Sequence, residues 1–213
     1  MQLNKKIIIT TFTLIFFFIS SMGIFAQTKK DALKLYRNGD YAEAIKVCHE
    51  EIAEKPKNLD SYVVLCWSLV KNKQYSEAEL WAIKGREISS YDQRIIEILG
   101  EAKYYLGKNN GAMEQFQRYV ASAPESGSRV GTAYYFMGEI FIRQGKFNHA
   151  DIALTTAVKK EPTLVSWWIR LGYAREMAKN YLEAVNAYDE ALRLNPSSVD
   201  AERGKVRVSA KLQ

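Results

Sequence analysis

A pattern of large and small side chains recurs along this chain at a nearly fixed interval. Windows that begin at residues 25, 59, 93, 131 and 165 are separated by 34, 34, 38 and 34 residues. In the last four windows a bulky residue is followed four positions later by a small one: Tyr62–Cys66, Ile96–Gly100, Tyr134–Gly138 and Trp168–Gly172. An alanine then takes the same place in all five, at Ala44, Ala78, Ala112, Ala150 and Ala184. A fixed period of this length indicates a stack of repeated structural units.

Each repeated unit is predicted to be a pair of α-helices. The chain has no long alternation of apolar and polar residues, which a strand would need. Its four prolines, Pro56, Pro124, Pro162 and Pro196, follow helical stretches and stand where proline ends a helix. Small residues on two facing helices let the backbones approach closely, and bulky residues fill the space beside them. Each pair leaves an apolar face uncovered, so the pairs must stack.

The last unit resembles the tetratricopeptide repeat. The places of that family's pattern are taken by Trp168, Leu171, Gly172, Tyr181, Ala184, Tyr188, Ala191 and Pro196. The third and fourth units follow the pattern as well. The second unit departs from the pattern in its C-terminal part, and the first unit is degenerate. The resemblance implies a right-handed all-α solenoid of about five helix pairs, closed by a C-terminal capping helix.

The repeat divides the chain into segments with different expected roles. These are a signal peptide (1–26), a degenerate repeat unit (27–58), repeat units at 59–92 and 93–126, a flexible connector (127–130), repeat units at 131–164 and 165–198, and a capping helix (199–213). The connector accounts for the one interval of 38 residues, because it supplies the four additional positions.

The N-terminal segment has the layout of a secretory signal peptide. Lys5 and Lys6 precede an uncharged, mostly apolar run from Ile7 to Ala26. Cleavage after Ala26 and cleavage after Gly23 both fit, and the run is also long enough to remain as a membrane anchor. Each alternative predicts an exported protein, in the periplasm or associated with the cell envelope if the source is bacterial. Cys48 and Cys66 would then be either a disulfide or two buried thiols.

The sequence shows no arrangement of residues typical of catalysis or of metal binding. The two histidines, His49 and His149, lie in different units, and neither belongs to a metal-binding motif. No catalytic residues, metal ligands or cofactors are therefore expected. The net charge of +6 includes no block of five or six like charges, so a nucleic-acid-binding arm is not expected. Membrane contact is expected only through an uncleaved N-terminal segment.

The remaining candidate for function is the surface formed by the first helices. In the family that this chain resembles, one side of these helices lines a concave groove where peptides bind. The residues expected to contact a partner there are Trp67, Glu97, Glu101, Tyr104, Tyr135, Glu139, Arg143, Ile169, Arg170 and Tyr173. This aromatic and acidic set favours a partner-binding groove, although the same aromatics would also suit packing between helices.

We therefore expect a non-enzymatic scaffold or adaptor that binds a protein or peptide partner in a cell-envelope assembly. One alternative is a structural subunit of a large envelope machine, held by its convex face and edges; another is a small-ligand binder or enzyme. The two adjacent tryptophans are expected to have different structural roles. Trp168 is predicted to fill the core opposite Gly172, and Trp167 to join its unit to the preceding one.

Overall fold

The computed structural model describes residues 30–213, and it places them in eleven α-helices joined by short turns. The helices are α1 (Ala32–Asn38), α2 (Tyr41–Glu54), α3 (Leu59–Lys71), α4 (Tyr75–Ile88), α5 (Gln93–Tyr105), α6 (Asn109–Ser122), α7 (Val130–Arg143), α8 (Phe147–Lys160), α9 (Val165–Met177), α10 (Tyr181–Leu194) and α11 (Val199–Ser209). The predicted all-α solenoid of about five helix pairs with a capping helix is confirmed. The expected signal peptide lies outside the described residues.

A left-handed residue follows the first helix of every pair. The five residues are Gly39, Lys73, Gly107, Gly145 and Lys179, with φ angles between +62° and +87°. This conformation ends the helix and turns the chain back within two or three residues, so the second helix packs against the first. Glycine adopts it freely, whereas each lysine bears a steric cost of roughly 1 kcal/mol.

The two helices of a pair meet where the repeat places its small residues. A Cβ added at Gly138 of α7 would lie 2.6 Å from Cγ of Leu154 in α8. At Gly172 of α9 it would lie 2.7 Å from Cε1 of Tyr188 in α10. Both distances are too short for any real contact, so these glycines are required by the packing rather than by the turn geometry.

The helices form two layers with different neighbours. Each first helix packs against the first helix of the next pair, from α1 through α3, α5, α7 and α9 to α11. Within residues 30–213 the backbones of the second helices approach only first helices, although side chains such as His49 and Trp81 also join successive second helices. The first helices are therefore the inner layer, and α11 takes the place that the first helix of a sixth pair would have.

Three details differ from what the repeat pattern suggested or left open. Trp167 is the buried tryptophan, with 8% of its surface exposed, and it stacks on Tyr135 of the preceding unit at 4.8 Å between ring centroids. The prediction that Trp168 fills the core opposite Gly172 is wrong, because the ring of Tyr188 lies against that glycine, whereas Trp168 packs against the core only in part and its indole N–H donates to the carbonyl of Pro162 at 2.8 Å. It covers that turn and stays partly exposed.

The other two details concern the connector and the cysteines. Val130 was expected in the connector but is buried as the first residue of α7. Cys48 and Cys66 are buried free thiols. Burial raises the pKa of Cys48 to about 12 and also raises that of Cys66, so both thiols are protonated at neutral pH.

Candidate partner-binding groove

A cavity of about 510 Å³ opens on the inner layer of the solenoid, at its N-terminal end. We call it the N-terminal cavity; it lies between α1, α3 and α5 and the segment that leads into α7. Its apolar wall is formed by Tyr36, Trp67, Val70, Ile98 and Tyr119. The rings of Tyr36 and Trp67 lie 5.7 Å apart with planes inclined by 33°. Both rings are half-buried, and both line the cavity.

Two buried carboxylates line the same cavity and share one arginine. Glu97 is 2% exposed and Glu101 is 7% exposed. Nη2 of Arg129 donates to Oε1 of Glu97 at 2.6 Å and to Oε2 of Glu101 at 2.7 Å. One positive charge therefore faces two negative charges. When both acids are ionised, the buried negative charge is only partly compensated.

The electrostatics of Glu97 follow from this arrangement. Burial raises its pKa to about 7, because the charged form loses its hydration, and the neighbouring Glu101 adds to the increase. Arg129 acts in the opposite direction but does not restore the usual value. Glu97 therefore exchanges a proton near neutral pH, and the charge of the cavity changes with it.

The long interval in the repeat builds one side of this cavity. Pro124, Gly127, Ser128 and Arg129 all line it, and all belong to the segment between α6 and α7. Each of the other unit boundaries has a spacing of 34 residues and lacks the four additional positions. The predicted flexible connector (127–130) is thus part of the wall of the cavity, and its third residue, Arg129, supplies the guanidinium.

Arg129 belongs to a series of ion pairs that cross the junctions between inner helices. At four successive junctions an acid on the earlier helix pairs with an arginine of the later unit. The pairs are Asp60–Arg94 at 2.8 Å, Glu97 and Glu101 with Arg129, Glu139–Arg170 at 2.6 Å, and Glu176–Arg207 at 2.6 Å. The hydrogen bond from Arg207 holds the pKa of Glu176 below its usual range. These pairs link each unit to the next one.

A second group of predicted residues meets on the C-terminal half of the inner layer. The guanidinium of Arg143 lies 3.8 Å from the ring centroid of Tyr104, and that of Arg170 lies 5.0 Å from the ring of Tyr173. Arg170 also holds the buried carboxylate of Glu139 through two hydrogen bonds. This half is filled by its own aromatic and ionic contacts, since Tyr104 is 8% exposed.

The structure thus divides the predicted set into two groups. Trp67, Glu97 and Glu101 line the N-terminal cavity, whereas Tyr104, Tyr135, Glu139, Arg143, Ile169, Arg170 and Tyr173 lie on α7, α9 and the end of α5. The three glutamates were expected on the exposed groove surface but are buried, because each is paired with an arginine of the next unit. Tyr36 and Arg129 were missed; the four-residue insertion was the available signal for Arg129.

Within the described residues, no three His, Cys, Asp or Glu side chains come together as metal ligands would. Among those same residues no helix has the length and apolar character that a membrane span requires.

Comparison with known proteins agrees with the helix-pair architecture. Family models described as the tetratricopeptide repeat match residues 165–198 and residues 98–126. The peroxisomal targeting signal receptor of Saccharomyces cerevisiae is 31% identical over 109 residues, which cover 48% of this chain and 16% of the receptor. The chain thus corresponds to a small part of that relative's length.

Several solved structures share the fold. The C-terminal part of a TPR repeat-containing protein from Cytophaga hutchinsonii superposes with a TM-score of 0.70 at 21% identity, covering 85% of this chain and 70% of that one. A MamA fragment from Desulfovibrio magneticus gives 0.69 at 17% identity, with 84% and 99% covered. YrrB, a TPR protein with an unusual peptide-binding site, gives 0.66 at 17% identity, with 82% and 88% covered. The repeat matches and the shared solenoid together show that this chain contains tetratricopeptide repeats, at residues 98–126 and 165–198, within the all-α solenoid fold of the tetratricopeptide repeat proteins it resembles.

Proposed function

We propose that this protein is a non-enzymatic, exported scaffold that binds a protein or peptide partner through its inner groove, in a cell-envelope assembly. The observation that carries the proposal is the N-terminal cavity, about 510 Å³ in volume and walled by half-buried aromatic rings. A concave site of this size, mostly apolar with a few fixed charges, suits the anchor side chain of a partner.

Two of the similar proteins support peptide binding as the mode of recognition. The yeast relative is a receptor for a targeting signal, and YrrB has a peptide-binding site. In this chain Trp67 and Arg94 line both the N-terminal cavity and a second hollow of about 360 Å³ beside α1. An extended segment that lies along the inner helices would contact both hollows.

Export is supported by the sequence of the N-terminal segment. Lys5 and Lys6 before the apolar run favour passage through a secretory pathway. Protease protection in intact cells, lost when the outer envelope is opened, would support a periplasmic location. A protein that remains protected until the cytoplasmic membrane is broken would contradict the export part of the proposal.

Site-specific photocrosslinking in the native cells tests the binding proposal directly. A photoreactive phenylalanine derivative at position 67 is expected to join the protein to one or a few discrete partners. The matched control places the same group at Ile152, which is 71% exposed on the outer helix α8. Adducts at position 67 that disappear when Tyr36→Ala is added would support the groove, whereas their absence would refute it.

A structural role through the outer face is the second candidate. Leu80, Ile152 and Leu182 lie on the outer helices α4, α8 and α10, and each is more than half exposed. These side chains are available for contact with another protein on the outer layer. In the same experiment, adducts at position 152 and none at position 67 would favour this role.

A further inference from the structure

We infer that the N-terminal cavity accepts a basic side chain, a lysine or an arginine, from the bound partner. The inference rests on the proposed function, because it names the chemistry that the groove recognises. It concerns the end of the inner layer between α1 and the segment leading into α7, where the insertion has added a wall to the groove.

The walls of the cavity suit the body of such a side chain. Lysine and arginine carry an apolar stem that packs against aliphatic and aromatic surface while the charged head finds a polar partner. Val70 and Ile98 provide the aliphatic surface, and the paired rings of Tyr36 and Trp67 provide aromatic faces. A cation within about 6 Å of such a face is attracted by the ring.

The charges of the cavity favour a cation over other groups. Glu97 and Glu101 face the single guanidinium of Arg129, so this cluster carries one more negative charge than positive when both acids are ionised. A guest cation supplies the missing positive charge, whereas a guest carboxylate would add to the excess negative charge.

Two other cations line the cavity without removing this imbalance. Arg94 pairs with Asp60 and Asp92, both at 2.8 Å, so its positive charge is already balanced by these two carboxylates. Lys71 is exposed at the end of α3; it faces Glu97 and lowers the pKa of that acid, but water screens its charge, so it offsets only part of the imbalance.

Proton binding by Glu97 connects this preference with pH. The groups that face Glu97 are Arg129 from the segment before α7, Glu101 on its own helix and Lys71 on α3; Tyr36 of α1 and Tyr119 of α6 also sense its charge. Below neutral pH Glu97 is protonated, and the cluster becomes neutral. The preference for a basic guest is therefore expected to strengthen as the pH rises from 6 to 8.

Four peptide pools measure the preference without knowledge of the natural partner. Each pool is a fluorescent octapeptide, blocked at both ends and randomised except for one central position that is fixed as lysine, arginine, norleucine or glutamate. Binding to the full-length protein is followed by fluorescence anisotropy. We expect the lysine and arginine pools to bind about tenfold more tightly than the norleucine pool, a ratio typical of one charge-assisted hydrogen bond. The glutamate pool should bind most weakly.

Charge-neutral variants assign the preference to the cavity. Glu97→Gln combined with Glu101→Gln should reduce the tenfold advantage to less than about twofold. Glu176→Gln is the matched control, because Glu176 is also buried and paired with its own arginine but lies outside the cavity. This control should keep the advantage, and circular dichroism should show native helicity in both proteins.

The outcomes separate this inference from the proposed function. Equal binding of the lysine and norleucine pools, abolished by Trp67→Ala, would overturn the inference and leave the groove as a binding site. Failure of every pool to bind would overturn both. If the double variant does not fold, the pH dependence of peptide binding by the wild-type protein is the test. A lysine advantage that does not change between pH 6 and pH 8 contradicts the role of Glu97.

Discussion

Replacement of Gly172 by alanine is expected to destabilise the protein through the ring of Tyr188. The added Cβ would lie 2.7 Å from Cε1 and 2.9 Å from Cδ1 and Cζ of that ring. The ring cannot move away, because its hydroxyl donates to Glu176 at 3.2 Å and Gly204 of α11 closes its other side. Overpacking of a fixed ring costs about 3 kcal/mol, the upper end of the usual range.

The gain in helix propensity on replacing glycine by alanine offsets about 1 kcal/mol of this cost. The net loss of about 2 kcal/mol corresponds to a decrease in Tm of roughly 4–8 °C for a chain of this size. Thermal unfolding followed by circular dichroism at 222 nm is the assay. Gly111→Ala in α6 is the matched control, because its Cβ would meet only the flexible side chain of Lys103, at 3.3 Å from Cδ. The control should be neutral or slightly stabilising.

A double-mutant cycle provides the decisive result for Gly172. In a Tyr188→Leu background the ring is absent, so Gly172→Ala should stabilise by about 1 kcal/mol through helix propensity, and the two substitutions should show a coupling energy of roughly 3 kcal/mol. A coupling energy near zero, or an equal decrease in Tm for Gly172→Ala and Gly111→Ala, would refute the assignment of this glycine to close helix packing.

Three further experiments, with four substitutions in all, test other parts of the structure. Trp167→Ala should cost about 3–5 kcal/mol and Trp168→Ala clearly less, because Trp167 is the buried one; urea denaturation compares them, and the reverse order would contradict the packing. The pKa of Glu97 is raised from 4.5 to about 7, so the folded state holds more protons than the unfolded state between these values and its stability falls as pH rises through that window. Glu97→Gln should abolish that fall, as seen in melting curves from pH 4.5 to 8; an unchanged slope would exclude Glu97 as its source. Arg207→Met should leave Glu176 without its two short hydrogen bonds and increase amide exchange in α11 before any other helix, as measured by hydrogen–deuterium exchange.

The period of the sequence was sufficient to predict the helix pairs and their close contacts. Gly100, Gly138 and Gly172 recur in phase because each meets a large side chain of its own unit, and the distance along the chain between the two partners is short. Contacts of this kind are repeated in every unit, so they leave a regular signal in the sequence.

The candidate site was predicted less completely, because it depends on contacts between units. The pairing of Glu97 with Arg129 joins residues 32 positions apart, and the arginine comes from the one segment that breaks the period. Trp167 joins its unit to the preceding one as predicted, and the failed prediction for Trp168 has a similar origin. Helical periodicity separates their directions by about 100°, but only the position of Tyr135 in the preceding unit shows which direction is buried.

The ion pairs between inner helices give the units a fixed order. At each of the four junctions the acid comes first and the arginine second, from Asp60–Arg94 to Glu176–Arg207. Repeat proteins are often treated as modules that can be deleted or exchanged, since each unit contacts only its neighbours. In this chain, removal of one unit would bring a buried glutamate next to a new neighbouring unit. The arginine of that unit lies at a different position along its inner helix, so the ion pair would not form. Engineering by unit exchange would therefore have to transfer each acid together with the arginine that follows it.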